Sequence, residues 1–228
     1  MQRVISIGAA FLAIGLAAGC HSHFIGETEP SAIVLGSGRF VTESRPVNGI
    51  AAIAASGAIR VHAAFTGSES LEITAEDNLL PLLDSVVVGD RLTLGWKPGV
   101  ASVQSHGIDV RVGVRTLRGI DASGACVVDV DGLAGGDFRV ALSGASQFNG
   151  HGAVDRLDAD LSGASRMTAP TLTAGIATVR LSGASAALLR VVQSLTGSVD
   201  GASTLDYLGD PSVQVSTSGA SVVRRAGP

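Results

Sequence analysis

From residue 119 onward the chain alternates apolar and polar side chains, and the alternation is interrupted at regular intervals by a string of small residues. Ser-Gly-Ala occurs at Ser123-Gly124-Ala125, Ser143-Gly144-Ala145, Ser162-Gly163-Ala164, Ser182-Gly183-Ala184 and Ser218-Gly219-Ala220, with Asp200-Gly201-Ala202 as a variant and an earlier copy at Ser56-Gly57-Ala58. From Gly124 to Gly219 the spacings are 20, 19, 20, 18 and 18, a repeat of about 19 residues.

Aligned on the glycine, the position two before it holds Ala122, Leu142, Leu161, Leu181, Val199 and Thr217, and the position four before it Ile120, Val140, Ala159, Val179, Gly197 and Val215. Between these mostly apolar columns lie mixed or polar ones, with Asp121, Ala141, Asp160, Arg180, Ser198 and Ser216 three before the glycine. A period of two is that of a half-buried strand. Four residues after the glycine come Val128, Phe148, Met167, Ala187, Leu205 and Val223, apolar again. Each unit therefore predicts strand, tight corner, strand and a variable turn.

Such a pattern never gives the three-four apolar spacing of a helix. A unit of this length cannot bury a face alone, so like positions must stack on like, which predicts an all-β parallel β-helix, or β-solenoid, with Ser-Gly-Ala-Ser corners. Coils ~4.8 Å apart would make six units a rod of roughly 29 Å. Stacking sets Arg139 beside Asp158 and Asp160 beside Arg180, pairing opposite charges on neighbouring coils. Leucine-rich repeats share the period but need another Leu/Asn pattern, and propeller blades are about twice as long. In the first half, strand alternation is read at 59–63, 71–75, 86–88, 91–94 and 108–112, with Gly89-Asp90 as a turn and Asp77-Asn78-Leu79-Leu80-Pro81 as one helical turn capped by Asp77 or Asn78.

Composition fits a narrow interior. Among 228 residues there are 30 Gly but only six Phe, one Trp, one Tyr and two Met, so aliphatic side chains and Ala must fill the core. Glycine without a three-residue period excludes collagen, and low charge with many apolar residues argues against disorder. A net charge of −4 without a basic cluster beyond Arg224-Arg225 speaks against nucleic acid as a partner.

The first residues, MQRVISIGAAFLAIGLAAGC, pair Arg3 with an apolar run ending in small residues. The run is too short for a mature membrane span, which needs about 20 residues, and reads as a secretory signal over 1–19. Cys20 directly after Ala-Ala-Gly resembles the lipobox of bacterial lipoproteins, although Ala17 stands where Leu is usual. That resemblance implies diacylglycerol on Cys20, a membrane held through the N-terminal lipid and, with His21 rather than Asp next, sorting to the outer membrane. Residues 20–44 then serve as anchor and flexible tether, and 45–228 as the folded domain.

With Cys20 lipidated, Cys126 has no partner for a disulfide. It shares a column with Ser146, Ser165, Ser185, Ser203 and Ser221, which predicts a small, semi-buried slot rather than a reactive thiol. The corner serines lack the flanking glycines and His/acid partners of a nucleophile elbow. Gly57, Gly124, Gly144, Gly163, Gly183, Gly201 and Gly219 are read as structural corners where a side chain would clash. Asp129/Asp131 and Asp158/Asp160 are the acidic pairs that could serve an acid/base pair or Ca²⁺, but alternate outward Asp residues are also what a solvated strand contains. No catalytic residue, metal ligand or cofactor site is assigned.

Arg45-Pro46-Val47-Asn48-Gly49, Ser56-Gly57-Ala58, Leu71-Glu72-Ile73, Ala75-Glu76-Asp77-Asn78-Leu79-Leu80-Pro81, Gly89-Asp90-Arg91-Leu92 and the repeated Ser-Gly-Ala-Ser together resemble the GIN domain family, described as an auto-transporter adhesin head domain. The resemblance covers about residues 45–225; Ile50 stands where the family has Phe, and 114–117 lack its Pro. It implies a β-helical envelope protein, often a lipoprotein, with no assigned catalytic residues. The expected function is a non-catalytic, lipid-anchored scaffold in the cell envelope, presenting a surface to a glycan or protein ligand. The alternatives are a carbohydrate-active β-helix enzyme, on fold analogy alone, and an envelope stress or signalling accessory.

Overall fold

A computed structural model describes residues 33–100 and 102–227. The expected signal segment, Cys20 and the tether before residue 33 lie outside the described residues. Two strands, β1 (Ile33–Leu35) and β2 (Phe40–Ser44), fall within the remainder of that tether. β3 (Ala52–Gly57) and β4 (Arg60–Phe65) meet at the first corner. Before the next corner come β5 (Ser70–Glu76), a 3-10 turn (Leu80–Leu82), β6 (Leu83–Val88), β7 (Arg91–Trp96), β8 (Ser102–Gln104) and β9 (Asp109–Val114). The repeats supply β10 (Gly119–Gly124), β11 (Val127–Ala134) and β12 (Asp137–Leu142), then three long strands, β13 (Gln147–Leu161), β14 (Arg166–Leu181) and β15 (Ala186–Val199). β16 (Thr204–Leu208), β17 (Ser212–Thr217) and β18 (Val222–Gly227) end the described chain.

The strands stack in register as a parallel β-solenoid. Before the corner, a ladder runs β7, β3, β10, β12, then the second halves of β13, β14 and β15, then β17. After the corner, a second runs β9, β4, β11, the first halves of β13 to β15, β16 and β18. The long strands serve both ladders because bulges interrupt their pairing midway, between Asn149 and Gly152 and between Ala169 and Thr173.

Alternation decides which side chains enter. Val140, Ala159 and Val179 stack as one column, Leu142, Leu161, Leu181 and Val199 as another, and Phe148, Met167, Ala187 and Leu205 as a third, each at most 3% exposed. Phe138 and Phe148 meet at 6.0 Å between ring centres. In the last coil the inward columns open to solvent: Val213, above Leu195, is 38% exposed, and Val215 and Val223 are half-buried.

At the other end the order departs from a simple spiral. β7 and β9 lie below β3 and β4 although they follow them in sequence, and β6, β5 and β2 close this end by antiparallel pairing. Arg45 holds the closure, donating to the carbonyls of Leu80 (2.9 Å) and Leu83 (3.0 Å) and to Ser85 Oγ (2.9 Å). The helical turn is the short 3-10 segment, and neither Asp77 nor Asn78 caps it. Their side chains bind the preceding strand region instead: Ser37 Oγ donates to Asp77 (2.6 Å), Ser37 N–H to Asn78 Oδ1 (2.9 Å), and Asn78 Nδ2 to the Leu35 carbonyl (2.8 Å). β1 and β8 form a separate two-stranded parallel sheet beside this region.

Candidate functional site

Each corner glycine has a positive φ, from +71° at Gly219 to +103° at Gly57, a region closed to most side chains. The glycines stack on one another. A Cβ on any corner glycine from Gly124 to Gly219 would stand 2.5–2.7 Å from the carbonyl oxygen of the corner below. Those carbonyls accept from the alanine after the next corner, as in Ala145 N–H to Gly124 (2.7 Å) and Ala164 N–H to Gly144 (2.7 Å). The serine two places after the glycine is buried in most coils, and its hydroxyl closes the corner by donating to the carbonyl three residues back, at 2.9 Å for Ser146, 2.7 Å for Ser165 and 2.8 Å for Ser185. Cys126 fills the same slot, buried, with Sγ 3.3 Å from the Ser123 carbonyl, and burial pushes its thiol up despite backbone hydrogen bonds. A thiol held protonated there is a poor nucleophile.

Because the corner residues are small, a groove of about 400 Å³ follows them on the outside of the first ladder, lined by Ser56, Ser123, Ser143 and Ser162 with Asp121 and Asp160. Arg91 pairs with Asp121 in this region. Trp96, half-buried, lies against the first corner, its Nε1 3.2 Å from where a Gly57 Cβ would stand.

A second cleft, of about 440 Å³, opens where the first ladder begins, lined by Arg118, Arg139, Arg156 and Arg180 together with Asp137 and Asp158. Four guanidinium groups face two lining carboxylates, and with Asp90 held on Arg118 the local excess is one positive charge in a chain of net −4. Stacking puts Asp160 opposite Arg180 in register, yet the ion pair forms elsewhere. Arg180 Nη1 reaches Asp158 at 3.1 Å, and Arg139 Nη1 reaches the other oxygen of the same carboxylate at 3.3 Å. Arg118 pairs with Asp90, and Arg156 makes no ion pair among the described residues. Phe138 and Leu157 are buried in the floor, with Ile176 half-buried beside them. Only Arg139, Asp158 and Arg180 were legible from the aligned columns. Extending the alignment six and seven places before the glycine would have added Arg118, Asp137, Arg156 and Ile176.

The other acidic pair is taken up by neighbours on adjacent coils. Asp129 accepts from Asn149 Nδ2 at 2.7 Å and lies 3.3 Å from His62 Nδ1, and Asp131 lies 3.9 Å from His151. Among the described residues no three His, Cys, Asp or Glu side chains converge as a metal site would require. One buried ionic cluster was not foreseen. Glu76, fully buried, accepts from Ser105 Oγ (2.6 Å), His106 N–H (3.1 Å) and His106 Nδ1 (2.7 Å), directly against Gly36. Burial alone would raise its pKa, but the hydrogen bonds from Ser105 and His106 and the charge of His106 outweigh it and lower the pKa.

A family model described as "Putative auto-transporter adhesin, head GIN domain" matches residues 50–211. A crystal structure of a putative adhesin from Bacteroides fragilis superposes with a TM-score of 0.65 at 19% identity, covering 84% of this chain and 99% of its own. A putative adhesin from Parabacteroides distasonis gives 0.57 at 19% identity over 85% and 100%, and a putative lipid binding protein from the same species 0.56 at 14% over 85% and 99%. At these identities the likeness is one of fold. No curated protein matches the sequence.

Proposed function

The chain belongs to the GIN domain family, and from that premise we propose that it is a lipid-anchored cell-envelope protein whose non-catalytic β-helical scaffold presents a binding or adhesion surface. The observation that carries the reading is the outer side of the two ladders. Alternate residues of successive coils stand exposed on a backbone whose hydrogen bonds run unbroken through the corners, so recognition groups are held at fixed spacing on a stiff support. The adhesin descriptions of the family and of two fold relatives agree with that role. Cys20 would carry the lipid and residues 21–32 would link it to β1, leaving the solenoid free to face outward from the outer membrane.

Two measurements test this. Fractionation of cells expressing Cys20→Ala is expected to move the protein from the membrane to the soluble envelope fraction; membrane retention of the variant would overturn the anchor. Incubation of the protein with acidic polysaccharides is expected to leave them intact, and turnover lost on Asp158→Ala or Asp129→Ala would overturn the non-catalytic reading.

A further inference from the structure

We propose that the cleft formed by Arg118, Arg139, Arg156 and Arg180 binds a carboxylate-bearing oligosaccharide, a ligand class that rests on reading the chain as a binding module. Three features of the cleft favour it. First, the cation is always a guanidinium, whose planar fork matches a carboxylate with two parallel hydrogen bonds. The cleft already holds one such group: Asp158 lies between Arg139 and Arg180 at 3.3 and 3.1 Å. Arg156, without an ion pair among the described residues, offers the same chemistry to a carboxylate from outside.

Second, the floor is apolar. Phe138 and Leu157 beneath the arginine fringe are buried in the core, but Ile176 beside them is half-buried and reaches the cleft, and a pyranose ring bearing a carboxylate has an apolar face to set on Ile176 while its charge reaches the rim. Inorganic phosphate or a phosphate headgroup would use only the rim. Third, the arginines come from successive coils of the first ladder, Arg139 on β12, Arg156 in the second half of β13 and Arg180 in the second half of β14. Strands in a ladder are ~4.8 Å apart, close to the advance of one sugar along an extended glycan. A chain with one carboxylate per sugar running across the coils would pass one guanidinium group per coil, each offset by two or four residues along its strand and brought to the ligand by the long arginine side chain. The net positive charge left on the cleft suits a short acidic oligomer, whereas nucleic acid selects broader basic surfaces.

The test is calorimetric titration of the purified full chain with hexagalacturonate, with neutral maltohexaose and inorganic phosphate as competing probes. Hexagalacturonate is expected to bind, more weakly at high salt. Arg156→Ala, which breaks no ion pair of the fold, is expected to weaken binding about tenfold, and Arg156→Lys to recover only part of it. Arg166→Ala, on the first half of β14 and outside the cleft, is expected to bind as the parent does. The proposal is overturned by absence of binding, by maltohexaose binding equally well, by phosphate displacing the hexamer at equal concentration, or by Arg156→Ala and Arg166→Ala behaving alike. Those outcomes leave the anchored-scaffold reading standing. Cleavage of the hexamer in the calorimeter cell would instead sink the non-catalytic reading while keeping the site.

Discussion

Replacing Gly163 by Ala adds one methyl group and should destabilise the solenoid far more than a methyl usually does. Two costs combine. At φ +73° an L-residue is strained by about 1–2 kcal/mol. The new Cβ would also stand 2.6 Å from the Gly144 carbonyl oxygen and 3.1 Å from its nitrogen. Both are backbone atoms, so neither can swing aside, and that carbonyl is the acceptor of Ala164 N–H at 2.7 Å. Forcing the coils apart overpacks the corner at about 1–3 kcal/mol and weakens a hydrogen bond worth about 1 kcal/mol. The expected total is about 4 kcal/mol, or a fall in Tm of about 10 °C for a domain of this size. Gly38→Ala separates the two costs, because Gly38 has φ +77° with nothing within 4 Å of its would-be Cβ; it should lose only about 1–2 kcal/mol. Urea unfolding followed by far-UV circular dichroism and by Trp96 fluorescence measures both variants, and coincidence of the probes checks that one transition is read. Equal losses for Gly163→Ala and Gly38→Ala would refute the stacked-corner argument.

Leu181→Ala, at 1% exposure inside the stack, is expected to cost about 2–5 kcal/mol, whereas Val215→Ala in the open last coil should cost less than about 1 kcal/mol; denaturant midpoints compare them. In a Cys20→Ala background the Cys126 thiol should resist Ellman's reagent at neutral pH until the protein unfolds, and Cys126→Ser should fold with unchanged stability to within about 1 kcal/mol. Glu76 has a folded pKa below its unfolded value, so its contribution is present above the unfolded value of about 4.3 and is lost as pH falls through the folded one. Glu76→Gln should therefore be less stable than the parent near pH 6, with the gap narrowing as pH falls below about 4; a gap constant over pH 2–6 would contradict a lowered Glu76 pKa. Asp158→Asn should change Tm by less than about 4 °C, because both of its ion pairs lie at the surface, and a larger loss would mean that the cleft is a structural keystone.

The solenoid was legible from sequence because its determinants are local and repeated. A column such as Leu142, Leu161 and Leu181 is written at a fixed offset from a glycine, and stacking turns that offset directly into burial. The corner glycines followed for the same reason: one small residue at one point of every coil. The closure of the first coils was not written that way. β7 and β9 occur once, after the strands they underlie, and only long-range pairing reveals that β5 and β6 turn antiparallel to shut that end. The tether expected over 20–44 carries β1 and β2 because pairing partners distant in sequence, β8 and β5, supply what a local pattern cannot.

The cleft divides along the same line. Sequence placed Arg139 beside Asp158 and Asp160 beside Arg180 by register. Tertiary structure decided that the Asp158 carboxylate serves both arginines, since long guanidinium side chains reach diagonally across a ladder as readily as straight along it. It also brought in Arg118 and Arg156, which stand outside the aligned columns, and it buried Glu76 beneath Gly36 beside residues 105–106. Periodicity alone specified the coil, because a repeat states its neighbours in one dimension. Which charges meet, and where the ends close, was decided only by three-dimensional packing, because those contacts join residues that no period relates.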